Sequence, residues 1–138
     1  MDSKPRLLVI TSTFPRWTGD PEPGFVYELS RRLTEKFHIK VVCPSAPGVV
    51  KHENLDGLEV SRFTYAPNKL QTLVNDGGIV TNLKQQPWKW LLVPLFLIAE
   101  FLAVRQAVKS FKPNVIHAHW LIPQGLILAL VSLSMKKS

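Results

Sequence analysis

A chain of 138 residues, 46 % hydrophobic and 20 % charged, has the length and apolar content of one folded domain that buries about two thirds of its unfolded surface. That composition excludes a disordered segment. Seventeen Lys and Arg against ten Asp and Glu give a formal charge of +7, which suits an anionic partner: a nucleotide or phosphate ligand, an acidic membrane surface, or nucleic acid.

Cys43 is the only cysteine, so there is no disulfide framework and no CxxC pair, and a cytoplasmic location is the default. After Met1–Arg6 come only six uncharged residues before a turn-rich loop, too short for a signal-peptide core. The longest greasy stretch, Leu91 to Val104, contains Pro94 and Glu100 and falls short of the ~20 residues of a membrane span. The expectation is a soluble or peripheral protein.

Leu7–Thr11 is a near-continuous apolar run, as in a strand covered on both faces. Thr13–Gly24 holds three prolines and two glycines and reads as loop. It exceeds the usual ~2–6 residues of a βα connection and is read as functional, the alternative being a surface insertion. Phe25 to Phe37 is predicted helical, with Phe25, Leu29, Leu33 and Phe37 as an apolar core stripe and Val26 alongside. Glu28–Arg32 and Arg31–Glu35 are its expected outer pairs. The free N–H groups at its start offer an anion site, and Gly24 permits close approach of a ligand.

Ile39–Cys43 is the second strand, ending on a cysteine read as a small buried hydrophobe. Asp56-Gly57 is a turn, and Leu58–Phe63 reads as an edge strand with one wet face. Between Tyr65 and Gln86 the pattern is weak; a short helix between Lys69 and Val74 is the one element predicted there. Trp88–Phe111 is a long helix with Pro94 in its first turn or at a kink and Arg105, Lys109 and Lys112 toward its C-terminal end. Pro113 stops it. Asn114-Val115-Ile116-His117-Ala118-His119-Trp120 is a short strand running into two histidines and a tryptophan. A turn with Pro123 and Gly125 and an apolar helix, Leu126–Met135, follow.

Strands alternating with helices predict one α/β domain over 1–138: a Rossmann-like open parallel sheet of strand order 3-2-1-4, with helices on both faces. The direction of connection reverses between the first and fourth strands. The loop after strand one and the turn after strand four then form two walls of a crevice. His117, His119 and Trp120 stand opposite Pro15, Arg16, Asp20 and Gly24. No GxGxxG follows strand one and no GxxxxGK[ST] occurs, so dinucleotide-cofactor and NTPase readings lack their motifs.

Two blocks carry a resemblance. The first is the Thr11–Pro15 strand end, the loop closing on Pro23-Gly24-Phe25-Val26, and Glu28–Leu33. The second is Pro113–Trp120 followed by Pro123 and Gly125. Together they resemble the N-terminal domain of retaining GT-B glycosyltransferases of the family-4-like group, over nearly the whole chain. The resemblance implies an acceptor-binding half of an enzyme that moves a hexosyl group from a nucleotide-sugar to a glycan or glycolipid acceptor. It implies no cofactor in this half, the nucleotide-sugar binding mainly to a second domain. It places His119 near the reacting sugar, as the candidate catalytic residue, and Gly24 with its loop against the acceptor or sugar phosphate. Taken with the crevice, the candidate substrate contacts are Pro15, Arg16, Asp20, Gly24, His117, Trp120 and Gly125. The chain stops before a fifth strand of that domain. The expectation is therefore a domain incomplete at its C-terminal side, inactive alone, and prone to self-association or partner docking at an open sheet edge.

Other readings stand beside these. His119 touches substrate or makes a structural hydrogen bond; His117 leans structural; Trp120 packs or stacks. His117 and His119 share parity on an extended strand, so both could face one way; if the strand ends at His117, that parity no longer binds His119. A metal reading of His-x-His lacks a third ligand. Lys84, Trp88, Lys89, Trp90 and Leu91–Phe96 pack as a core helix or form an interfacial, peripheral-membrane segment that suits anionic lipid at the inner membrane face. The scattered arginines do not make a nucleic-acid surface. A non-catalytic membrane- or partner-docking module is the alternative to the enzyme reading.

Overall fold

A computed structural model describes residues 4–12, 14, 25–73, 78–119 and 126–136. Five strands, β1 (Arg6–Ile10), β2 (His38–Pro44), β3 (His52–Leu55), β4 (Leu58–Phe63) and β5 (Val115–Ala118), form one sheet of order β3-β4-β2-β1-β5. The four strands expected from the sequence stand in the expected order, all parallel. The fifth, β3, was not anticipated. It pairs antiparallel with β4 and takes the edge position expected for β4. The two are joined by Asp56-Gly57, both at positive φ (51° and 86°), which is the backbone a two-residue hairpin turn requires.

The helices are α1 (Phe25–Leu33), α2 (Gly78–Gln85), α3 (Leu92–Phe111) and α4 (Leu126–Lys136). Strand parity divides the core between the two faces of the sheet. Leu7, Val9, Val41 and Val60 pack with Val26 of α1 and with Phe14. Leu8, Ile10, Val42 and Phe63 pack with Phe96 and Val104 of α3 and Ile127 and Val131 of α4. The helices therefore cover opposite faces, as a doubly wound sheet demands.

Three local expectations are corrected. In α1, Val26 and Ser30 face inward while Leu29 is 43 % exposed. Leu33 and Phe37 do pack partly against the core; positions four apart drift about 40° per step around a helix, which carries Leu29 off that line. The helix also ends at Leu33, which leaves Glu35 in the following turn; the ion pair formed is Arg31–Glu28 at 2.8 Å. In the weakly patterned region, Asn68–Leu70 forms only a 3₁₀ turn and the helix lies further on, as α2. Finally, a 3₁₀ turn, Pro87–Leu91, precedes α3. With it, Pro87–Phe111 makes a 25-residue helical run that is long and apolar enough, by length and composition, to cross a membrane. Pro94 sits in the first turn of α3, where its missing N–H costs no helical bond.

Candidate active site at the carboxyl ends of β1 and β5

β5 is held in register at both ends. At its start, Asn114 donates its backbone N–H to Arg6 O and accepts from Arg6 N–H through Oδ1, both at 2.8 Å. Arg6 Nε adds a bond to Lys112 O at 2.8 Å, next to the left-handed Lys112 that ends α3. At the other end His119 donates its backbone N–H to Ile10 O at 2.9 Å. Ladder pairing thus continues one residue past the strand and carries His119 alongside the end of β1.

His117 pairs with Val9 and so lies on the α1 side of the sheet. The shared parity expected for the two histidines is what the structure shows: their rings lie 4.0 Å apart between centroids, inclined at 33°. His117 is exposed and His119 is buried. Burial, and secondarily the charge of His117, lowers the pKa of His119 from its ordinary 6.5. At neutral pH its ring is therefore uncharged. A neutral imidazole both donates and accepts a hydrogen bond, which suits a sugar hydroxyl better than a fixed cation does.

The opposite wall begins in the same place. Phe14 is buried and meets Tyr27 of α1 edge-on, ring centroids 5.7 Å apart. The first turn of α1 is thereby packed against the chain just after β1. Pro15, Arg16, Asp20, Gly24, Trp120 and Gly125, the other expected contact residues, lie outside the described residues. Among the described residues no three His, Cys, Asp or Glu side chains converge on a point that would hold a metal.

The carboxyl ends of β1 and β2 also bring buried Thr11, Ser12 and Ser45 to this rim. Thr11 and Ser12 belong to the strand end that carries the family resemblance, but none of the three was expected as a contact residue. Their signal was positional: each follows an apolar strand run directly, where an open α/β sheet presents its crevice. Cys43 is buried, as expected, and burial pushes its thiol up to about 12, far from reactive thiolate chemistry.

A family model described as Glycosyltransferase Family 4 matches residues 25–136, from the first residue of α1 to the last of α4. The chain belongs to Glycosyltransferase Family 4. The matched span contains His117, His119, Trp120 and Gly125; it excludes Pro15, Arg16, Asp20 and Gly24. No curated protein and no solved structure matches the chain. Membership carries a glycosyltransferase role, and with it the general ligand classes of nucleotide-sugar and glycan acceptor. The Rossmann-like α/β sheet is consistent with that membership.

Proposed function

We propose that the chain is the acceptor-binding half of a GT-B glycosyltransferase that moves a hexosyl group from a nucleotide-sugar to a glycan or glycolipid acceptor. The observation that carries this reading is the placement of His119. It is a buried, neutral imidazole at the point where the sheet changes winding direction, stacked on the exposed His117. Transfer breaks the bond from the sugar to the diphosphate and makes one to an acceptor hydroxyl. As the first bond loosens, charge develops on the sugar, and His119 contributes a fixed dipole and a hydrogen bond there. His117 flanks it and contacts the substrate from the solvent side. Pro15, Arg16, Asp20 and Gly24 complete one wall, and Trp120 and Gly125 the other. The nucleotide diphosphate is held mainly by a second domain or a partner chain, and no cofactor or metal enters the scheme. The location that goes with this reading is cytoplasmic.

Two measurements test it. With a donor-binding domain that restores turnover, His119→Ala lowers kcat by about 10²-fold, the scale of losing one transition-state hydrogen bond; wild-type turnover in that variant would remove His119 from the mechanism. For the chain alone, titration with an acceptor glycan shifts the imidazole proton resonances of His117 and His119. Those of His38, at the opposite end of the sheet, stay in place. Equal shifts at all three, or none, count against a site at this end.

A further inference from the structure

We propose that the outer face of α3 and α4 seats this protein in the interfacial plane of an anionic lipid bilayer. Leu91, Leu95, Ile98 and Leu102 follow one another at helical spacing and are 75 %, 48 %, 59 % and 58 % exposed. Arg105 and Lys109 continue the same line, so one stripe of about 27 Å runs from apolar to basic. On α4, Leu126, Leu130 and Leu133 form a second exposed apolar stripe. A shallow groove of about 260 Å³ joins the two, lined by Ile98 and Leu102 on one side and Leu126 and Leu130 on the other.

At the head of the first stripe, Trp88 and Trp90 stand half-exposed or more. Lys89 between them turns inward. Its Nζ donates to Asn82 Oδ1 at 2.9 Å and Thr72 O at 3.2 Å, and this fixes the turn so that both indoles face out. Paired exposed indoles beside an apolar stripe are the composition of a membrane interface.

Charge selects the partner. From residue 84 to the C-terminus the sequence holds seven Lys and Arg and one carboxylate, Glu100, and Glu100 is buried. That segment carries +6 of the chain's +7, and it is the segment that bears the apolar face. A surface both apolar and cationic fits an anionic bilayer, each cation strengthening binding about fivefold. A second copy of the chain docked on this face would set Arg105 and Lys109 against cations of the same sign. Nucleic acid would leave the leucines uncovered. A transmembrane path for Pro87–Phe111 would strip Leu92, Phe96, Glu100, Val104 and Ala107 from the sheet they are buried against. The helix therefore lies in the plane and does not cross.

The test is flotation of the whole chain with two vesicle types: phosphatidylcholine alone, and phosphatidylcholine with about one third phosphatidylglycerol. The chain floats with the anionic vesicles and much less with the neutral ones. Ile98→Gln with Leu102→Gln lowers the bound fraction about tenfold or more. Arg105→Gln with Lys109→Gln lowers binding to anionic vesicles about 25-fold and leaves the weak neutral binding unchanged. All four side chains lie at least partly in solvent, so circular dichroism should report an intact fold in both variants. Absence of flotation with either vesicle, or flotation indifferent to both variants, overturns the proposal. So does a stable dimer that the Ile98/Leu102 variant dissociates while no vesicle is bound. None of these outcomes bears on the imidazole shifts that test the glycosyltransferase reading.

Discussion

His119 draws its properties from two neighbours, and the two can be separated. Burial is the larger cause of its lowered pKa and His117 the smaller. In the unfolded chain the ring takes up a proton near 6.5; in the folded chain it does so only at lower pH. The unfolded state then binds more protons across that interval, so folding stability falls as pH drops below 6.5 and levels off under the folded midpoint. Proton NMR of the native chain should give His119 a midpoint below 6.5. In His117→Gln the midpoint should rise part of the way back and no further, because burial remains. A native midpoint at or above 6.5, or a full return in the variant, would contradict this account. The same experiment bears on function, since an acceptor that buries the pair should lower the midpoint again.

At the scale of elements, α3 is the piece on which the sheet's second face depends. Phe96, 1 % exposed, meets Phe63 and Tyr65 edge-on at centroid distances of 5.3 and 5.0 Å. Tyr65 in turn donates its backbone N–H to Gln71 Oε1 at 3.2 Å, while its hydroxyl accepts the N–H of Leu73 at 3.1 Å. This ties Tyr65 to Gln71 and Leu73. Phe96→Ala should cost about 3–5 kcal/mol, read as a lowered midpoint in urea, with loosening of the Tyr65–Leu73 stretch. A loss under about 1 kcal/mol would mean that the ring is not central to the core.

Elements with a strong periodic signal were legible: the apolar runs of β1 and β2, the alternation in β4, and the long apolar pattern closed by Pro113. The strand order followed from them, because right-handed crossovers leave few arrangements. Two elements were not legible, for physical reasons. His52–Leu55 has no β-branched or aromatic residue; it is a strand because Asp56-Gly57 folds it back onto β4, and the turn was the only readable trace of it. Gly78-Ile79-Val80-Thr81 opens α2 with residues of poor helix propensity, so tertiary packing decides there. For the candidate site, parity left it open that His117 and His119 face one way; it holds because backbone pairing to Ile10 O continues past the end of β5 to His119. The burial that sets His119 apart from His117 comes from the fold around it, which no local pattern encodes.

Seen as a whole, the molecule has two kinds of exposed apolar or unpaired surface and one strong charge asymmetry. β5 has β1 on one side and no other described strand on the other, and Val115 is 49 % exposed on the face not covered by α3 and α4. Unpaired edges and apolar patches favour association. The +6 carried from residue 84 onward opposes it, because any pairing through β5 or through the α3–α4 face brings like charges together. Salt decides between them. At about 0.02 M ionic strength the repulsion reaches well beyond contact distance, whereas at about 1 M the Debye length falls to about 3 Å. Light scattering should therefore find the chain monomeric in dilute buffer and associating as salt rises, while binding to anionic vesicles weakens over the same range. Opposite responses of the two equilibria to one variable follow only if the same cations restrain self-contact and drive lipid contact. Association that weakens with salt would place a complementary ion pair at the interface and break that link.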